Sequence, residues 1–409
     1  MEESISQAGA GIRPLLALNF FMADLQAGVG PFLGVFLLAH GWRSGPIGTV
    51  MTLGGVAGML MTAPAGALID ATARKRAYVV VPGLCTVLAS MVVLISQQFW
   101  AVAASQVAAA VAGAAIGPAV NGITLGLVRQ AGFAGQTGRN QAFNHAGNMV
   151  GAGLSGLLGW KFGLPAVFWL AAAFGLASIV SVLRIPRAAI DDGAARGLKD
   201  GAEDAAAASG FVVLAQSRPL LVLAAALLLF HLGNGAMLPL YGMAVVAAGH
   251  GDPSAFVALT IVVAQGVMIG AALLAMRTIE RDGAWIVMLI SFAALPVRGL
   301  LAAHLIVDWG VYPVQMLDGV GAGLQSVAVP VLVARILQGT GRVNVGQGAV
   351  MTAQGVGAAL SPAIGGWIAQ GIGYGATFTI LGAFALGSIA LWVGFSGVLK
   401  PACAKWAPA

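Results

Sequence analysis

Long apolar stretches separated by short polar turns leave this chain little choice of fold. Twelve of them run over 14–38, 46–69, 77–97, 99–128, 140–162, 165–184, 219–247, 254–276, 284–304, 309–335, 344–370 and 375–398. A hydrocarbon layer about 30 Å thick is crossed by roughly 20 apolar residues in helical conformation, and every stretch is of that length. With 59% hydrophobic and 8% charged residues, the chain falls outside the soluble globular class, in which about a quarter of residues are charged. Its 59 glycines suit membrane helices that pack through small side chains. The expected fold is an all-α integral membrane protein of twelve transmembrane helices.

The basic residues orient it. With the N-terminus inside, all but Arg43, Lys161 and Arg298 of the 20 Lys and Arg fall in cytoplasmic segments. That positive-inside bias predicts an even helix count with both termini cytoplasmic. The net charge of +6 therefore reports topology and contact with anionic membrane lipids rather than nucleic-acid binding. The start Met1-Glu2-Glu3-Ser4 has no cleavage-site pattern, so the first stretch reads as a retained helix rather than a signal peptide. Cys85 and Cys403 are too few and too far apart for a disulfide framework or a metal site.

One long polar interruption, residues 185–217, divides the stretches six and six. It carries Pro186, Asp191-Asp192-Gly193, Lys199-Asp200-Gly201 and Glu203-Asp204, and reads as a cytoplasmic linker. The expected organisation is a bundle over 1–184, a linker over 185–217 and a second bundle over 218–409. At a shift of 206–210 residues the halves resemble each other: Gly113, Gly117 and Arg129 correspond to Gly319, Gly323 and Arg335, and Pro31, Gly34 and Gly41 to Pro239, Gly242 and Gly249. Two six-helix repeats related by an axis along the membrane normal are expected, with a substrate site near mid-membrane.

The turn between the second and third stretches is the most specific motif. Gly66, Asp70, Arg74 and Lys75, followed by Arg76, match the pattern Gly-x-x-x-Asp-(Arg/Lys)-x-Gly-(Arg/Lys)-(Arg/Lys), with Ala71 and Ala73 replacing a base and a glycine. In this the chain resembles the major facilitator superfamily, in its bacterial twelve-helix form. The resemblance implies that Gly66, Asp70, Arg74, Lys75 and Arg76 form a cytoplasmic charge latch between helices 2 and 11 that favours the outward-open state. The counterpart at 276–282 keeps charges (Arg277, Glu280, Arg281, Asp282) but not the spacing.

A second pattern of that family, Gly-x8-Gly-x3-Gly-Pro-x2-Gly-Gly, marks exporters in helix 5. This chain has Gly138, Gly147, Gly151, Ala152, Ser155 and Gly156 there, without the proline. Helix 11 fits it better, with Gly348, Gly357, Ser361, Pro362, Gly365 and Gly366. Glycine-rich helix packing explains the helix 5 run equally well. The helix 4 arginine that exporters often carry is replaced by Ala109, four residues before Gly113.

A charge at the membrane centre costs at least about 2.5 kcal/mol, so such groups usually face a cavity and act there. Asp24, His231 and Asp318 sit near the middle of helices 1, 7 and 10, which the resemblance places around a central cavity. They are the candidate proton-coupling groups, because a desolvated carboxylate titrates nearer neutrality and histidine does so unperturbed. Other readings stand beside this one: an Asp318–Arg298 ion pair holding the second bundle together, and a satisfied hydrogen bond for His231 to backbone or Asn234. His145, flanked by Asn144 and Asn148, reads as polar glue. Gln26, Asn121, Asn234, Tyr241, Arg298, Gln325 and Gln354 complete the candidate substrate cavity. Amides, one tyrosine and apolar walls suit a small amphipathic organic molecule, and a single arginine disfavours a phosphate-rich one.

The leading expectation is a proton-coupled exporter of a small organic compound, working by alternating access as a monomer in a bacterial inner membrane. It uses the proton gradient and needs no cofactor. A proton symporter importing a metabolite is the alternative within transport. A membrane enzyme or a receptor is the alternative outside it, disfavoured because no HExxH, GxSxG or clustered histidines are present.

Overall fold

The computed structural model describes residues 2–27, 29–70, 72, 74–192, 217–250, 252–337 and 343–403; the side chains of 2–10, 24–27, 29, 63, 66, 67, 70, 130–135, 137, 138, 280, 334 and 343–345 are left aside. Among the described residues every regular element is helical. The first stretch is covered by α1 (Glu2–Ala27) and α2 (Val29–Ala39), the second and third by α3 (Ser44–Asp70) and α4 (Ala77–Ile95). The fourth starts in α5 (Phe99–Gly113) and continues into α6 (Ile116–Phe162), which also holds the fifth, and α7 (Pro165–Leu183) is the sixth. Past the linker, α8 (Arg218–Asn234) and α9 (Met237–Ala247) form the seventh. The remainder are α10 (Pro253–Asp282), α11 (Ala284–His304), α12 (Val311–Ile336), α13 (Val343–Ile372) and α14 (Tyr374–Gly394), with a short α15 (Ser396–Cys403) after them.

Nine segments among the described residues are long and apolar enough to cross a membrane, and Gly11–Ala23 and Gly30–Ala39 are shorter apolar helices. The fifth and eleventh stretches are not among the nine. The fifth is diluted by amides (Asn140, Asn144, Asn148), the eleventh by Gln347, Gln354 and Gln370, and both by glycines, which lower hydropathy without breaking the helix. The outer surfaces are apolar, as a lipid solvent requires, with Ile95 83% and Leu60 66% exposed.

Helix α6 carries a break that the sequence does not advertise. Arg129, at the end of the fourth stretch, has φ 54° and ψ −178°, a backbone state that strains an L-residue by about 1–3 kcal/mol. The segment after α7 supports it from the side. Asp191 N donates to Gly126 O at 3.0 Å, and Arg129 Nη2 pairs with Asp191 Oδ2 at 3.0 Å. That pair is exposed and contributes little by itself.

The chain separates into two compact units. Unit 1 comprises Met1–Gly41, Leu53–Glu203 and Asp252–Ala258; unit 2 comprises Trp42–Thr52, Asp204–Gly251 and Leu259–Ala409. In unit 1 the principal helix pairings are α1 with α6, α1 with α7, α4 with α5 and α4 with α7. In unit 2 they are α8 with α13, α8 with α14, α11 with α12 and α11 with α14. These are the same four pairings moved by six spans, so the repeat noticed in isolated glycines is a repeat of packing. One apolar core in unit 1 joins Leu15, Leu18, Ile69, Val79, Ile123, Leu127 and Val182 from five helices.

Lipid supplies no hydrophobic force between helices, so close van der Waals approach must hold them. A Cβ on Gly147 would strike the Phe20 carbonyl of α1, and one on Gly357 would strike the Leu228 carbonyl and Leu232 amide of α8. In unit 2 the onset of α3 meets α13 in the same way, where Gly48 leaves room for the Pro362 carbonyl and Gly366 for that of Ser44. There Ala363 N donates to Thr52 Oγ1 at 2.9 Å and Trp367 Nε1 to Thr49 Oγ1 at 3.0 Å. In unit 1 Gly156 and Gly159 pack on Ala258 and Ser254. Replacing Gly357 by Ala should therefore lower the thermal unfolding midpoint in detergent, by the equivalent of about 1–3 kcal/mol. Gly348→Ala on the same helix meets nothing within 4 Å and should leave the midpoint unchanged or raise it.

Candidate functional site

Helical periodicity gathers polar side chains of unit 2 onto facing stripes. Gln315, Asp318 and Gln325 lie three, seven and ten residues apart on α12, Ser291 and Arg298 seven apart on α11, and His231 and Asn234 three apart on α8. These spacings put each set on one face. The result is a continuous polar array inside the bundle.

Arg298 is its anchor, with a side chain 1% exposed. Its Nη1 donates to Asp318 Oδ1 at 2.7 Å and to Asn234 Oδ1 at 2.6 Å. Its Nη2 donates to Gln315 Oε1 at 3.0 Å. Asn234 Nδ2 in turn donates to Asp318 Oδ1 at 3.3 Å, so one carboxylate oxygen accepts from both neighbours. The ion pair weighed from the sequence is thus present, and two amides join it. Arg298 Nε and Gln315 Nε2 are buried and make no hydrogen bond among the described residues.

His231 belongs to the other end of the array. Gln354 Nε2 of α13 lies 3.2 Å from His231 Nε2, a bond that Gln354 donates when that ring nitrogen is bare. His231 also bonds Gln325 and lies within electrostatic reach of Asp318. Gln325 Nε2 donates to Ser291 Oγ at 2.9 Å, and Ser291 Oγ to the Gly321 carbonyl at 3.0 Å. Tyr241 is fully buried; its hydroxyl donates to the Leu305 carbonyl at the end of α11, and its ring lies edge-on to Phe378.

In unit 1 the side chains of Asp24 and Gln26 lie outside the described residues. Asn121 is exposed on α6. Asn19 Nδ2 donates to Leu15 O at 2.8 Å, and Asn144 Nδ2 donates to Asn19 O at 3.4 Å, tying α6 to α1. A buried chain that sequence reasoning missed runs nearby: Gln136 Nε2 donates to Asn140 Oδ1 at 2.9 Å and Asn140 Nδ2 to Thr124 Oγ1 at 3.0 Å. Its signal was available, because Gln136, Asn140, Asn144 and Asn148 recur every four residues along one helix face. Beside them α1 and α6 form an apolar cleft of about 340 Å³ lined by Leu16, Ala17, Phe20, Phe21 and Phe143, with Arg13 the sole charge among its lining residues.

The 66–76 turn is described in part. The side chain of Asp70, the acid of the expected latch, lies outside the described residues, and Gly66 is described only as helical backbone. Lys75 is 1% exposed. Its ammonium donates to Ile69 O at 3.2 Å and to Thr72 O at 3.0 Å. It therefore caps the C-terminal end of α3, where free carbonyls and the helix dipole favour a cation. Arg76 does the same for α7, its Nη2 donating to Leu183 O at 2.7 Å. Arg74 is exposed, and its backbone N–H donates to Thr72 Oγ1 at 3.1 Å.

Two expectations follow. Truncating Arg298 or Asp318 alone should destabilise the protein by about 3–5 kcal/mol, because each leaves a buried charge without its partner. The pair Arg298→Met with Asp318→Leu should recover much of that loss, as read from unfolding midpoints of the four proteins. Lys75→Met should lower the midpoint by the equivalent of about 1–2 kcal/mol, whereas Arg74→Met should have little effect.

Comparison with known proteins agrees with this architecture. A family model described as Major Facilitator Superfamily matches residues 15–344. Two relatives from two strains of Mycobacterium tuberculosis, each named an uncharacterized MFS-type transporter, are 39% identical over 375 residues, covering 91% of this chain and 90% of theirs. Among solved structures, the nucleoside transporter NupG aligns with a TM-score of 0.75 at 16% identity over 95% of this chain and 99% of its own. A bacterial homolog of the human lysosomal transporter Spinster aligns at 0.72 and 13% over 100% of both chains. A peptide transporter, POT, aligns at 0.76 and 12% over 97% of this chain and 96% of its own. At such identities the likeness is one of fold.

Proposed function

Because this chain belongs to the major facilitator superfamily, whose members are multi-pass secondary transporters, we propose that it exports a small amphipathic organic compound in exchange for protons. It works by alternating access in a bacterial inner membrane. The observation that carries the coupling is the pair of titratable groups inside the spans of unit 2. His231 bonds to the neutral amides Gln354 and Gln325, so it can change charge without breaking an ion pair. Asp318 is clamped by Arg298 and Asn234, and losing its charge would leave a buried guanidinium unbalanced. His231 is therefore the proton-exchanging group of the second half, with Asp24 of the first stretch as its counterpart, and Asp318 holds the array in shape.

The substrate class follows from the cleft on α1 and α6. Phe20, Phe21 and Phe143 offer apolar faces and Arg13 one cation, a combination suited to an amphipathic molecule with a weakly acidic or acceptor-rich end. The direction rests on the glycine pattern of helix 11.

Purified protein in proteoliposomes, given a compound panel and a pH gradient imposed in each direction, tests this. Substrate should move against the proton flux. Asp24→Asn and His231→Gln should abolish gradient-driven accumulation yet leave substrate counterflow intact. Unchanged proton-driven transport in both variants sinks the coupling, and substrate moving with protons makes the protein an importer.

A further inference from the structure

We propose that the cleft between the 74–76 turn, the end of α7 and the segment that follows it binds the phosphate of an acidic phospholipid. The cleft lies wholly within unit 1 and holds about 470 Å³. Arg74, Arg76 and Arg187 line it against one acid, Asp192. The spans Ala77–Ile95 and Pro165–Leu183 both end at its walls, which puts it at the level of the headgroups on the side that the positive-inside bias assigns to the cytoplasm. Basic pockets between helix ends at this level suit lipid headgroups.

Arg76 is preset for the task. One edge of its guanidinium is tied to Leu183 O by Nη2 at 2.7 Å. A planar guanidinium so held offers a donor of fixed direction, the geometry that phosphate oxygens accept. Arg187, exposed on the following segment, supplies charge from the opposite wall.

What selects a lipid over a free anion is the apolar flank. Val81 and Leu183 line the same cleft and are 59% and 53% exposed, and Leu88 continues the face along α4 at 58%. A soluble phosphate would use the bases and leave this strip bare, whereas an acyl chain descending from the headgroup covers it.

The test is native mass spectrometry of the full chain in detergent, titrated with phosphatidylglycerol and with phosphatidylcholine of the same acyl chains. Phosphatidylglycerol should bind more tightly. Arg76→Gln and Arg187→Gln should each weaken it about fivefold, the loss expected for roughly 1 kcal/mol per base, with phosphatidylcholine unaffected. Arg43→Gln, an exposed base outside the cleft, should change nothing, and excess glycerol phosphate should not displace the lipid. Arg187 is exposed, so its replacement leaves the packing intact and keeps the result independent of folding. Equal binding of the two lipids, an equal effect of Arg43→Gln, or displacement by glycerol phosphate would each overturn the proposal.

Discussion

Every other feature of this protein follows from the solvent it folds in. Hydrocarbon gives a backbone carbonyl nothing to bond to and gives one apolar helix no reason to leave lipid for another. The chain answers the first demand with helices along almost all of its described length, and the second with glycines at crossing points. Gly147 against Phe20, Gly357 against Leu228 and Gly48 against Pro362 are places where backbone touches backbone. Dispersion acting over such short distances replaces the hydrophobic force of a soluble core.

The same solvent governs the charges. Lys75 and Arg76 direct their donors at the open carbonyl ends of α3 and α7, where a cation completes what the helix leaves unbonded. Arg298 cannot reach an end, so it is enclosed by Asp318, Asn234 and Gln315. In both cases a base in or beside the membrane is defined by the oxygens around it. This is why one motif can hold bases of different character: Arg74 in water, Lys75 buried, Arg76 half-way between.

Much of the fold was legible as sequence because membrane thickness is a ruler. Each of the twelve stretches is helical among its described residues, but the first, fourth and seventh are each divided between two helices, and α6 runs on from the fourth into the fifth without the turn that the polar residues between them suggest. The Arg129 break was not legible, because a strained φ in a non-glycine residue leaves no mark on composition. A buried arginine announces its need for a carboxylate, so Arg298 with Asp318 could be weighed in advance. The role of Lys75 could not, since a cation that caps a helix and one that faces water look alike in a loop. The amide stripe from Gln136 to Asn148 was there to read, but single amides are common, and only their recurrence at helical spacing carries meaning.

The two halves share their helix pairings but not the bonds that lock them. In the first, Asn144 of α6 donates to the Asn19 carbonyl of α1. In the second, a guanidinium and a carboxylate fix α11 against α12. Turning α12 by a single residue, about 100°, would carry Asp318 away from Arg298 and strand both charges. The α11–α12 pairing is therefore keyed in rotation by a buried charge pair. In the first half shape does that work for α1 and α6, where Gly147 receives the Phe20 carbonyl and any turn of either helix would lose the notch.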